Sequence, residues 1–358
     1  MRKYILMMLL ALCCVTPAKA LEVSAHSAIL MDGDSGQVLY EKNPDERSLI
    51  ASTTKIMTAL VTLEQALLTD MVEIPEEAVG IEGSSMYLKA GEQLTVEDLL
   101  YGMMLSSGND AAVALALHVS GSIEDFAFAM NEKARELGLE NAHFANPNGL
   151  DSQENYATAR DLARLAAAAM DIPEFQKIVS TRTYQCTGHS LTNHNKLLWQ
   201  YDGAVGVKTG FTKKAGRILV GCAERNGRRL ISVTISAPDD WKDHTTMLDY
   251  GFSQYQEQIL VQEGQLLGSV PVISGASDEV AVFADETIRA FLLPGEAPEI
   301  QLYLPEFVYA SVEPDTELGE ATVSVAGRSV GKTSLLTKDS VEIQPEEKSR
   351  WQKIKEHF

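Results

Sequence analysis

The chain has 358 residues, 45% of them hydrophobic, and its 50 acidic residues against 30 basic ones give a formal net charge of −20. So acidic a composition argues against a nucleic-acid partner. The length exceeds one ordinary core and predicts two domains.

Residues 1–20 read as an export signal, with Arg2 and Lys3 as a basic start, Ile5 to Val15 as an apolar core and Ala18-Lys19-Ala20 as a small-x-small cleavage site. Cleavage after Ala20 removes three basic residues and no acid, which moves the net charge from −20 to −23. The apolar run is short for a membrane span, so the mature chain is expected to be exported, lying free or held at the outer face of the cytoplasmic membrane. Lipid attachment at Cys13 or Cys14 is disfavoured, because Leu12 and Cys13 are not the small residues such processing wants. Cys186 and Cys222 then remain, as one disulfide or as two buried thiols.

From residue 21 to about 257 the pattern mixes strands and helices. "SAILMDGDSGQVLYEKN" predicts two strands around Asp32 to Gly36. Helical spacing follows over Thr53 to Leu68, Val96 to Leu105, Asp110 to Val119, Ile123 to Leu137 and Ala159 to Met170, the second of these opening on a Thr95/Asp98 capping box. "GRILVGCAERNGRRLISVTIS" predicts a hairpin turning at Asn226-Gly227. Helices around an antiparallel sheet, an α+β fold, account for this order. Residues 258–343 change to short alternating strands broken by Gly, Pro, Asp and Glu, the pattern of a small all-β domain. Residues 344–358 form a basic tail with Trp351, Ile354 and Phe358 at helical spacing among Lys348, Arg350, Lys353 and Lys355. Such a segment is either a peripheral membrane contact through 346–358 or a solvated terminal helix.

Three short stretches carry chemistry. In "ASTTKIMTAL", Ser52 and Lys55 lie three apart on one helical face. A serine hydroxyl needs a base to take its proton, and Lys55 serves only if its pKa falls through desolvation or a neighbouring cation. Alone, the pair is equally an ordinary helix start. "VGVKTGFT" reads as a strand whose Lys208 supplies a positive charge, whose Thr209 offers a hydroxyl to a carboxylate, and whose Gly210 leaves room for a substrate backbone. An edge strand there also holds an extended peptide. In "LSSGNDAA", Gly108 separates two helices and puts Ser107 and Asn109 in a tight turn, as proton relay and amide holder or as a plain helix connection.

The order Ser-x-x-Lys, Ser-x-Asn, Lys-Thr-Gly resembles the penicillin-binding protein and serine β-lactamase superfamily. Within it, "SLIASTTKIMTALVTLE", "LLYGMMLSSGNDAAVALA", "FANPNGLD", "YATARDLARLA", "TNHNKLLW" and "GVKTGFTKKAGR" look like the low-molecular-mass D-alanyl-D-alanine carboxypeptidases. The resemblance implies a β-lactamase/transpeptidase-like domain followed by a β domain. It implies a peptidoglycan stem peptide as substrate, β-lactam antibiotics as covalent inhibitors, and no cofactor or metal. It also implies Ser52 as acyl-ester nucleophile, Lys55 as general base, Ser107 as proton relay, Asn109, Lys208, Thr209 and Gly210 around the substrate, and backbone N–H groups of Ser52 and Phe211 as the oxyanion hole. Rival readings are a DD-endopeptidase, a β-lactamase, for which the chain lacks a Glu-x-x-Leu-Asn stretch, and a non-catalytic wall-binding protein.

One departure stands out. Where some members carry an arginine near the carboxylate pocket, this chain reads "APDDWKDH", which leaves the carboxylate a single assigned partner. Trp241 and His244 in that stretch are read as a core tryptophan and a surface histidine, with a place on the site wall as the alternative. "GRSVGKTS" lacks the glycine that a phosphate loop needs at Ala326 and is read as a hairpin, although it holds a second Ser-x-x-Lys spacing at Ser329 and Lys332. His189 and His194 have no acidic or cysteine cluster beside them and are not read as zinc ligands.

Overall fold

The structure is a computed structural model that describes residues 21–344. The expected export signal and the basic tail beyond Gln344 lie outside the described residues.

A five-stranded antiparallel sheet forms the centre of the first domain. Its strands are β1 (Ser27–Asp32), β2 (Val38–Lys42), β3 (Ala204–Thr212), β4 (Gly216–Arg225) and β5 (Arg228–Ile235), in the spatial order β2-β1-β5-β4-β3. The β4–β5 hairpin turns at Asn226 and Gly227, with φ values of +50° and +69°. Two successive left-handed residues match the twist of the flanking strands, and Asn-Gly tolerates them. β3 is therefore an edge strand with one side free of a neighbouring strand.

Alternation along the strands divides the apolar side chains between two cores. Ile29, Met31, Ile218, Val220, Ile231 and Val233 face one core, together with α1 (Lys55–Gln65), α2 (Val96–Leu105), α3 (Asn109–Ser120), α4 (Ile123–Glu136) and α5 (Ala159–Met170). Ala28, Leu30, Leu219 and Leu230 face the other, beneath α6 (Asp240–Ser253) with its Met247 and Leu248. The result is a sheet packed between helices. The predicted capping box is present, since Thr95 Oγ1 accepts from Asp98 N at 3.1 Å and the Asp98 carboxylate accepts back from the Thr95 backbone N–H. A cap of this kind is worth about 1 kcal/mol.

The first helix differs from the sequence expectation. Ala51–Thr54 is a 3₁₀ turn, α1 proper starts at Lys55, and it ends at Gln65 rather than Leu68. Leu67 is 69% exposed, so no buried face extends the helix past Gln65.

In the second domain, Gln256–Val261 pairs with Ile288–Leu292, and a six-stranded sheet closes over two small cores built on Val270, Val282 and Leu335 and on Val261, Val323 and Val325. "GRSVGKTS" falls on the strand Arg328–Thr337, which pairs antiparallel with Glu317–Val325. Lys332 there binds Glu320 at 2.8 Å. The domains meet where Arg228 of β5 pairs with Glu296, both nearly fully buried, and where Phe291 and Leu293 join the α6 core. Cys186 and Cys222 are both free thiols, and burial pushes the Cys222 thiol far up.

Candidate active site

Ser52 sits in the 3₁₀ turn immediately before α1. A 3₁₀ turn has three residues per turn, so positions i and i+3 eclipse and Lys55 lies over Ser52 more directly than an α-helix would place it. The turn is tight: Ala51 has φ of +45°, a left-handed conformation that costs a non-glycine residue of the order of 1 kcal/mol. Packing holds it there. Gly149 approaches so closely that a Cβ on it would lie 2.0 Å from the Ala51 carbonyl oxygen, and its φ of +85° is itself one that glycine favours.

Lys55 Nζ reaches Ser52 Oγ at 3.0 Å and Asn109 Oδ1 at 2.6 Å, and it also donates to the carbonyl oxygen of Asn148. The side chain is fully buried. Burial first, and the charge of Lys208 second, hold its pKa well below the ordinary lysine value, against the pull of Asp110. In the neutral amine two N–H groups satisfy Asn109 and Asn148, and the remaining lone pair is aimed at Ser52. That is the arrangement a general base requires.

Asn109 is the first residue of α3 and is 4% exposed. Its Nδ2 donates to Glu82 O at 2.5 Å, which orients the amide with Oδ1 toward Lys55. Lys208 on β3 is 1% exposed, donates to Thr209 O at 3.0 Å, and has its pKa lowered to about 7 by burial. Both side chains thus stand behind Ser52, where they act first on Lys55. Ser107 has φ of +61° in the turn between α2 and α3 and is 5% exposed.

A cleft of about 540 Å³ opens in front of these groups, lined by Ser52, Ser107, Thr209, Gly210 and Phe211 among others. The structure thus brings all eight expected site residues together, five on the cleft wall and Lys55, Asn109 and Lys208 just beneath it. Gly210 differs in its reason. A Cβ there would lie 3.3 Å from Ile50 O and from the Thr53 backbone nitrogen, so the missing side chain lets β3 approach the turn that carries Ser52.

Other residues at the site were given no role there by sequence. The Asn146–Gly149 loop supplies the Asn148 carbonyl, and Pro147 O binds Thr58 Oγ1 at 2.6 Å. This loop lies within "FANPNGLD", but its functional atom is a main-chain oxygen, so residue identity assigns it no role. Asp110, almost fully buried, accepts from Ser85 Oγ at 2.6 Å and from the Met86 and Leu88 backbone, which fixes the loop that brings Ser84 to the cleft. His194 lines the cleft, and burial, then Lys208, lowers its pKa. Arg217 and Trp241 line it as well. Trp241 is half-buried, packing against the core beneath α6 and also lining the cleft, so both readings of it describe part of its surface. The reading of His244 as a surface residue is corrected: it is fully buried between α6 and the sheet, bonded to Ser232 Oγ at 2.8 Å and Thr234 Oγ1 at 3.0 Å. Burial lowers its pKa to about 3.

A hydroxyl bonded to a buried, depressed lysine, beside an exposed strand edge, defines a serine acyl-transfer enzyme. The sequence profile of the D-alanyl-D-alanine carboxypeptidase family matches residues 14–239, and that of the penicillin-binding protein 5 C-terminal domain matches residues 255–343. The chain belongs to the D-alanyl-D-alanine carboxypeptidase family. It is 33% identical over 333 residues to the D-alanyl-D-alanine carboxypeptidase DacF of Bacillus subtilis, covering 88% of this chain and 86% of that one. It is 35% identical over 345 residues to DacC of Escherichia coli, covering 90% and 86%. Penicillin-binding protein 5 of Haemophilus influenzae superposes with a TM-score of 0.65 at 32% identity, over 92% of this chain and 99% of that one. The Streptomyces K15 DD-transpeptidase superposes on 65% of this chain and 98% of its own with a TM-score of 0.63 at 36% identity.

Proposed function

We propose that this chain removes the terminal D-alanine from peptidoglycan stem peptides through an acyl-enzyme on Ser52. The observation that carries this is the geometry of Lys55, whose contacts with Asn109 and Asn148 leave the lone pair of its neutral amine for Ser52 Oγ. The stem peptide lies extended along the free edge of β3. Ser52 Oγ attacks the carbonyl carbon of the penultimate D-alanine while Lys55 Nζ takes the hydroxyl proton. The resulting oxyanion is held by the backbone N–H groups of Ser52 and Phe211. Ser107 relays the proton held on Lys55 to the leaving amine nitrogen, the C–N bond breaks, and free D-alanine departs. Water then adds to the ester carbonyl, giving its proton to Lys55, and Ser52 Oγ takes that proton back as the C–O bond breaks. Thr209 holds the terminal carboxylate. β-Lactams, which present a strained amide to the same hydroxyl, acylate Ser52.

Incubation with a diacyl-D-alanyl-D-alanine peptide should release D-alanine, and a fluorescent penicillin should label the protein at one site. Ser52→Ala should abolish both signals. Absence of both from the unaltered protein overturns the assignment.

Export and membrane contact belong to the same reading. The basic start and apolar core of residues 1–20 support secretion, and the spacing of Trp351, Ile354 and Phe358 among four basic residues supports a tail lying on an anionic membrane surface. The chain from Leu21 should sediment with anionic vesicles, and a chain ending at Pro345 should not. Equal binding by the two removes the membrane role.

A further inference from the structure

The second domain carries a cluster of exposed apolar side chains at the end where the described residues stop. Val272 pairs in parallel register with Val308, and Ile273 with Tyr309. Val270, Val272 and Val308 pack into the domain's core, so strand alternation turns Ile273, Phe307 and Tyr309 the other way, onto the outer face. All three are exposed there, Tyr309 by 67%, and the rings of Phe307 and Tyr309 meet edge to face with centroids 5.5 Å apart. Ile343, 63% exposed, is bridged to Gly275, two residues along from Ile273. Single exposed hydrophobic residues are ordinary, but a contiguous cluster marks a surface that a partner covers.

The path of the chain and its charge name the partner. Gln344, the last described residue, donates its backbone N–H to Ser274 O at 2.8 Å, so the chain leaves the fold beside Ile273, at the rim of the cluster. The 14 residues that follow, 345–358, span about 20 Å as a helix, enough to lie back across these side chains. The segments that meet at this end, 270–279, 305–313 and 339–344, hold Asp278, Glu279, Glu306, Glu313, Asp339 and Glu342 and no basic residue. From Lys348 onward the tail holds four Lys and Arg residues and one acid, with Trp351, Ile354 and Phe358 among them. An acidic rim repels an anionic lipid surface and attracts a basic segment.

We propose that the tail 346–358 docks on this patch, with Trp351, Ile354 and Phe358 covering Ile273, Phe307 and Tyr309 and the basic residues facing the acidic rim. The patch thereby holds the tail back from anionic surfaces, and a membrane must compete it away. Docking needs neither the cleft nor a membrane, so it stands apart from the carboxypeptidase reading.

Trp351 reports the docked state. The chain from Leu21 and the same chain ending at Pro345 differ by that one tryptophan, so the difference between their emissions isolates it. Acrylamide should quench this emission poorly in the unaltered chain and freely in Tyr309→Ser and Ile273→Ser, which change exposed side chains and leave the core intact. Glu306→Lys, which reverses one charge of the rim, should also free Trp351. A tail docked nine-tenths of the time weakens vesicle binding about tenfold, so Tyr309→Ser and Ile273→Ser should sediment with phosphatidylglycerol-containing vesicles at about a tenth of the lipid that the unaltered chain requires. Quenching of Trp351 that is equal in the unaltered chain and the variants overturns the proposal. Weaker vesicle binding by the variants overturns it as well and assigns the patch to the membrane, and shielding of Trp351 that is lost on dilution overturns it in favour of a second copy of the chain. If no chain binds vesicles, the membrane reading of the tail fails and the quenching comparison alone decides docking.

Discussion

Lys55→Gln should slow acylation by a penicillin about 10²- to 10⁴-fold, the usual yield of a positioned general base, with thermal unfolding little changed. The reason lies in the bonds around Nζ. A glutamine amide keeps a donor for Asn148 or Asn109 but offers Ser52 no basic lone pair. Stopped-flow labelling measures the rate, and a Lys55→Gln protein that acylates within tenfold of the parent rules out Lys55 as the base. The pH profile carries the sign. A protonated Lys55 has no lone pair, so acylation should fall as pH drops through its depressed pKa. Lys208→Gln removes the second-largest cause of that depression. The pKa of Lys55 should then rise, and the acid limb of the profile should move to higher pH.

Lys208→Met should stabilise the fold while it impairs the site. The buried Lys208 has a pKa lowered to about 7 from an ordinary value of 10.5. Below pH 7 the ammonium is charged in both folded and unfolded chains, and the folded state bears the full cost of desolvating it. Above 10.5 the group is neutral in both, and the cost is gone. Stability of the parent should therefore rise between pH 7 and 10.5 from this group. Methionine fills a similar volume without charge, at the loss of one bond to Thr209 O. A gain of about 2–4 kcal/mol at pH 7, shrinking toward pH 10.5, follows from the shift once that bond is discounted. Urea denaturation at pH 7 and 10 measures it, and a loss of stability at pH 7 contradicts the account. The same substitution should raise the pKa of Lys55 and weaken acylation at neutral pH. A buried cation that lowers stability is what one expects where function sets the residue.

Much of the fold is local in origin and was legible for that reason. The Asn226-Gly227 turn is specified by two residues that tolerate left-handed backbone, and the Thr95/Asp98 cap by side chains that satisfy N–H groups three residues apart. The exception was the first helix. A Ser-x-x-Lys spacing fits both a 3₁₀ turn and an α-turn, and only Gly149 and β3 packing on Ala51–Thr53 selects the tighter form.

For the site, order and spacing in the chain pointed to Ser52, Lys55, Ser107, Asn109 and the Lys208 strand, because those side chains carry their chemistry in their identity. What the sequence by itself determined was thus the set of reactive groups and the local turns that present them. Tertiary structure decided their state. Lys55 becomes a base through burial, through Lys208 on a distant strand and through a main-chain carbonyl at Asn148, none of which is a property of its own stretch. Arg217 and Asp240 lie 23 residues apart and pair only because β4 and the start of α6 meet at the cleft, while His244, in the same segment as Asp240, is turned under the sheet. Desolvation and through-space charge depend on what packs around a group, and packing is fixed by the whole chain.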